Sequence, residues 1–262
     1  MPTLNFTIKY GKNQGLVVNP WELINQYLFG LEICSRDGKY LENDVIVQKI
    51  LSAQRKLETF LMIKLQRQVI SEQRDFMRGD YYNWGFLTTN YPVKDVLGLE
   101  GFISTTKQVT FPIEWVSNAK SNQEDALFRT LHVVPAGSTT PVTNSAVFVG
   151  IAPNLGYLGV YNIPNYWSVK YVTGFLTTPA ELLEVVGKMA AIEILAIIGD
   201  LVLHPGVTSQ SLSYDGLSES VSTAKSGQTS AYSARIKQYS DDLTKQLPQL
   251  KDYYKGMIFT TM

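Results

Sequence analysis

The stretch LLEVVGKMAAIEILAIIGDLVL, residues 182–203, decides how this chain is read. It is the longest apolar run, yet it carries Glu184, Lys188, Glu193 and Asp200. Each charge near the middle of a bilayer costs a few kcal/mol, so the run reads as a helix buried in protein rather than a membrane span. Its apolar residues cover most of the helical circumference, which requires neighbours on several sides. Thr178-Pro179 opens this helix, read as 179–200, and Gly199 with His204-Pro205-Gly206 closes it.

Two further helices are legible. Residues 44–65 repeat apolar side chains (Val45, Ile46, Ile50, Leu51, Leu57, Leu61, Ile63) at helical spacing, with Asn43 or Asp44 as a cap and Arg55, Lys56 and Glu58 on the other face. Residues 229–254 form the other. There Tyr232, Ile236, Tyr239, Leu243, Leu247, Leu250 and Tyr254 make a narrow stripe, the pattern of a helix seam against one partner surface. Pro248 predicts a kink inside it. A shorter helix is expected over 20–29, opened by Pro20, and a turn at Arg36-Asp37-Gly38.

Between these helices the period changes to that of strands, with turn residues every 8–12 positions. Candidate strands are 68–76, 95–105, 108–117, 127–135, 146–151 and 165–174; Pro112 and Pro135 mark edges or ends. The expected fold is α+β: a helical core built from both chain ends, with an antiparallel β domain inserted. The boundaries read 1–78, 79–176 and 177–262. Two aromatic clusters, YYNWGF (81–86) and YNIPNYW (161–167), suit either the core of the β block or an interface.

A polar ribbon, 207–227, separates the last two helices. Its centre, SQSLSYDGLSES (209–220), places a hydroxyl at nearly every second position. Leu212 and Tyr214 alternate with serines, Asp215-Gly216 is a two-residue turn signal, and Leu217 to Val221 supply the return strand. An isolated hairpin is marginal in water, so it docks on its own domain or on a neighbouring subunit.

Bulk numbers narrow the function classes. The chain has 262 residues, 45% hydrophobic and 18% charged, an ordinary folded composition. Lysine plus arginine and aspartate plus glutamate are 23 each, which gives no basic excess for gripping nucleic acid and little repulsion between copies. Cys34 is the single cysteine, expected as a small buried residue, and it points to a reducing cytoplasm. No signal peptide is expected from the N-terminal residues. His132 and His204 read as structural, no nucleophile elbow or phosphate loop is present, and no catalytic residue, metal site or cofactor is expected. The 36–44 carboxylates lack calcium-loop spacing.

The run NYWSVKYVTGF (165–175), then 179–200, then 204–227, then SARIKQYSDDLTKQLPQLKDYYKG (233–256) resembles the head-to-tail connector, or adaptor, proteins of tailed bacteriophages. YPVKDVLGLEGFI, FPIEWVS and LHVVP are similar to the β insertion of larger members, and 44–65 to their N-terminal helix. The resemblance implies a structural virion protein in the neck, made in the host cytoplasm and forming a closed homo-oligomeric ring, commonly a dodecamer. It implies the portal protein on one side and the next neck or tail protein on the other, with double-stranded DNA passing unbound through the middle and no membrane. Candidate interface residues are Leu212, Tyr214, Asp215, Gly216, Leu217, Val221, Tyr232, Ile236, Tyr239, Leu243, Leu250 and Tyr254. The competing readings are a stopper or terminator of the neck, or a particle-associated hydrolase.

Overall fold

The computed structural model describes residues 15–31, 33–34, 38, 40–77, 87–118, 128–133, 162–203, 207–213, 218–223 and 232–254. Its elements in chain order are α1 (Pro20–Glu22), α2 (Asn43–Leu61), β1 (Gln68–Met77), β2 (Leu87–Thr88), β3 (Asp95–Ile103), β4 (Thr106–Phe111), β5 (Val116–Asn118), β6 (Thr130–Val133), β7 (Asn162–Thr173), α3 (Ala180–Leu203), β8 (Val207–Ser213), β9 (Ser218–Thr223) and α4 (Ser233–Tyr254). The fold class is α+β. Two compact units divide the chain: a helical unit, Met1–Phe60 with Thr177–Lys251, and a sheet unit, Leu61–Leu176 with Asp252–Met262.

In the helical unit, α2 buries Ile46, Val47, Ile50, Ala53 and Leu57 along one face. The apolar run 182–203 lies in α3, where Leu182, Val185, Val186, Ala190, Ala191, Ile194, Leu195 and Ile198 are all buried. It continues through Gly199 to Leu203 rather than stopping there. A glycine lowers helix propensity by only about 1 kcal/mol, less than the neighbouring apolar burial contributes.

The helix expected over 20–29 is only three residues of α-helix, Pro20–Glu22, followed by a π-turn over Leu23–Tyr27. Asn19 and Glu22 cap its start: Trp21 N donates to Asn19 Oδ1, and Asn19 N donates to Glu22 Oε2. The wide turn, closed by Leu28 N donating to Leu23 O, brings two leucines five residues apart to full burial on one side. Gly30, in the left-handed region at φ 80°, follows.

In the sheet unit a four-stranded antiparallel sheet runs β1-β7-β3-β4. A second sheet runs β2-β6-β5. Strand 68–76 belongs to the first sheet, paired along β7, so the sheet unit begins at Leu61, ahead of the boundary expected at 79. The strand expected over 108–117 is split. Pro112 ends β4, a 3₁₀ turn Ile113–Trp115 follows, and β5 joins the other sheet.

Strand β7 begins three residues earlier than expected and tolerates Pro164 inside a central strand. Its pairing with β3 reaches only to Trp167, and its pairing with β1 is interrupted between Arg74 and Phe76. Asn165 there has φ 52°, and its N–H donates to the Asp75 carboxylate at 2.8 Å. The bulge leaves no ladder bond for the proline to break. The strand proposed over 146–151 lies outside the described residues.

Between the sheets an aromatic cluster forms the core. Trp167 meets Tyr166 edge-on at 4.8 Å and Phe111 at 5.2 Å, and Phe76 meets Tyr166 at 5.5 Å. Tyr166 and Trp167 are each 1% exposed. They are core residues, while cluster 81–86 lies outside the described residues. Gly101 permits this packing: a Cβ there would fall 2.7 Å from the Tyr166 hydroxyl and 2.8 Å from Val109.

Candidate functional site

The ribbon is a two-stranded antiparallel hairpin, β8 with β9. Its register pairs Ser213 with Ser218, Ser211 with Ser220 and Ser209 with Ser222, and is symmetric about the Asp215–Gly216 bond. In the register serine–serine pairs thus alternate with the pairs Leu212–Glu219 and Gln210–Val221. Tyr214, Asp215, Gly216 and Leu217 lie outside the described residues. Among the described residues, this hairpin joins neither of the other sheets.

The stripe of α4 is partly covered by its own chain. Leu243 is buried, and Ile236, Leu247 and Leu250 are half-buried. Half-buried Tyr239 donates its hydroxyl to the Tyr27 carbonyl at 2.8 Å. Tyr232, also half-buried, precedes the helix, and its carbonyl accepts from Ile236 N. Tyr254, in the sheet unit, is 1% exposed, with its ring edge-on to Phe175 at 5.9 Å. Leu243 and Tyr254 therefore present no free surface to a neighbour, contrary to the interface role expected for them. A narrow stripe shows that one side is covered, not which molecule covers it.

The charges of α3 organise the helical unit. Lys188 donates to Glu184 on its own helix at 2.6 Å and to Asp242 on α4 at 3.1 Å. Burial alone would lower the Lys188 ammonium, but these bonds outweigh it and hold it above the usual lysine value. Glu184 lies below the usual carboxyl range because Lys188 donates to it; Gln246 adds a bond at 3.4 Å. Five residues past Lys188, Glu193 takes Lys49 at 3.1 Å and Lys56, both from α2. Burial would raise that carboxyl, and the two lysines bring it below its usual value. Tyr27 is pushed up, first by burial and then by the nearby Glu184 charge. Its ring lies against Gly187, where a Cβ would come within 2.3 Å of Tyr27 Cζ.

In the sequence Glu184, Lys188 and Glu193 argue only against a membrane span, and Lys56 only for a polar helix face. The signal that could have found their role is Lys188 itself, a cation facing inward on an otherwise apolar helix, which needs a carboxylate partner.

The sheet unit has its own polar centre. Glu72, 9% exposed, accepts from Arg74 at 3.0 Å, from Asn90 N at 3.2 Å and from the Tyr171 hydroxyl. Burial and the bond to Glu72 push the Tyr171 phenol far up. Arg129, also buried, donates to the Leu61 and Met62 carbonyls at 3.4 and 3.1 Å, where Met62 turns left-handed at φ 55°. Burial lowers the Arg129 guanidinium.

Cys34 is half-buried rather than buried. His132 lies in β6, and His204 falls outside the described residues. Among the described residues no three His, Cys, Asp or Glu side chains gather as a metal site, and no helix is long and apolar enough to cross a membrane. An open hollow of about 720 Å³ along the outer face of α2 passes Leu51, Arg55 and Phe60. No protein-family model matches the chain, and no curated protein matches it either.

Proposed function

We propose that this chain is a structural subunit of the neck of a tailed bacteriophage, a head-to-tail connector that assembles as a ring beneath the portal. The observation that carries the reading is the serine-rich hairpin, which belongs to neither sheet of its own chain among the described residues. Two strands alone gain too little to be ordered in water, so a surface elsewhere completes them. A heterologous contact repeated around an axis closes into a ring, and strand addition is a direct way to make it. The long helices around α3 supply the adaptor core in this reading. The portal and the next neck or tail protein take the two rims, and DNA passes through the lumen. The half-buried Ile236, Tyr239 and Leu250 remain partial contributors.

Electron microscopy of the purified full chain, alone and with portal protein, tests this. Rings support it; a strictly monomeric chain without portal affinity rejects it. Deletion of 209–222 should abolish rings while leaving the circular dichroism and thermal midpoint nearly unchanged. Rings that persist after deletion reject the hairpin's part.

A further inference from the structure

Over Ser233–Lys251, α4 is held to the helical unit mostly by directed polar bonds. Arg235 donates to the Phe29 carbonyl at 3.3 Å and Tyr239 to the Tyr27 carbonyl at 2.8 Å. Lys188 reaches Asp242, and Gln246 reaches Glu184. Leu243 is the one buried apolar side chain in this stretch, against eight on α3. Apolar burial of this kind contributes roughly 1.5–3 kcal/mol per side chain, so α4 has a small share of the cohesion that holds α3.

One ion pair and one amide–carboxylate hydrogen bond also set the antiparallel alignment of the helices. Asp242 and Gln246 are one turn apart on α4, and they meet Lys188 and Glu184, one turn apart on α3. Sliding α4 by one turn would replace Asp242 by Gln238 or Gln246 and leave Glu184 as the one carboxylate on an ammonium that is 10% exposed. An ion pair with one partner 10% and the other 40% exposed adds little net stability, and its geometry still favours the aligned register. Pro248 lies between these contacts and the last turn, and it deprives the Thr244 carbonyl of its helical donor. Beyond it, Tyr254 is anchored in the sheet unit.

We infer that α4 is a clasp: it opens from α3 as a separate unit, with Lys188–Asp242 as the catch and Pro248 as the hinge. The catch aligns the helix without sealing it. Such an element can be released without unfolding the remainder of the chain.

Hydrogen exchange of the full chain, followed by mass spectrometry, tests this independently of ring formation. In the native protein, amides of 236–247 should exchange at least about tenfold faster than those of 185–195. Asp242→Asn should raise α4 exchange by about another tenfold and leave α3 and β7 unchanged. Lys188→Met should raise α4 exchange as Asp242→Asn does, and the double variant should go no further, because either change already opens the catch. Equal protection of α3 and α4, or a change in both together with Asp242→Asn, overturns the clasp. Additive effects of the two changes overturn the catch and make the two residues separate cohesive contacts.

Discussion

The two units are closed by different physics. In the sheet unit, interlocked rings of Phe76, Phe111, Tyr166 and Trp167 lie between two sheets, and the buried carboxylate of Glu72 has its partners in place. In the helical unit, α3 is sealed by aliphatic side chains, but α4 is attached by polar bonds around one buried leucine. Aromatic packing is short-ranged and intolerant of gaps, whereas a row of side-chain bonds can be made and broken one element at a time. The first arrangement suits a rigid body. The second suits a piece that changes partners.

Four substitutions or titrations probe that contrast, beginning with the most costly. Trp167→Ala should destabilise the sheet unit by about 3–5 kcal/mol, read by chemical denaturation with circular dichroism; a loss under about 1 kcal/mol would show that the ring cluster is not the seat of its stability. Gly187→Ala is the counterpart in the helical unit. By propensity alone alanine should stabilise a helix interior by about 1 kcal/mol. Here the added methyl meets the Tyr27 ring at 2.3 Å, so a loss of about 1–3 kcal/mol is expected. Truncating Tyr27 in the same protein should recover most of it, and a higher melting temperature for Gly187→Ala alone would contradict the packing.

Tyr171→Phe removes one bond to Glu72 and should cost about 1–2 kcal/mol, since Arg74 and Asn90 still hold the carboxylate. The smallest effect is a pH response of the helical unit. Glu193 is held below its usual value in the folded chain, so its ion pairs stabilise at pH above the unfolded carboxyl value. That contribution is lost as pH falls through the lower folded value. Glu193→Gln should flatten the acid limb of the thermal midpoint between about pH 5 and 3; an unchanged limb would place the acid sensitivity elsewhere.

The strong periodic signals were legible because burial on one side leaves a trace in composition. The helices at 44–65, 179–200 and 229–254 are found within a few residues of where their spacing put them. The split at Pro112 was half visible, as a proline that a strand cannot pass. The π-turn at Leu23–Tyr27 was not, because Leu23 and Leu28 read equally well on an α-helix. The hairpin register was readable from its turn and its serines.

What the sequence determined by itself is the order and period of the elements, the central burial of α3 and the balance of charge. Local spacing and hydropathy carry those, whatever lies nearby. Only the tertiary structure decided that Leu243 and Tyr254 are covered by their own chain, that Lys188 meets Asp242 fifty-four residues away, and that Arg129 bonds the Leu61 carbonyl. Such pairings depend on which distant segments are brought together, and no local pattern encodes the identity of a partner so far along the chain.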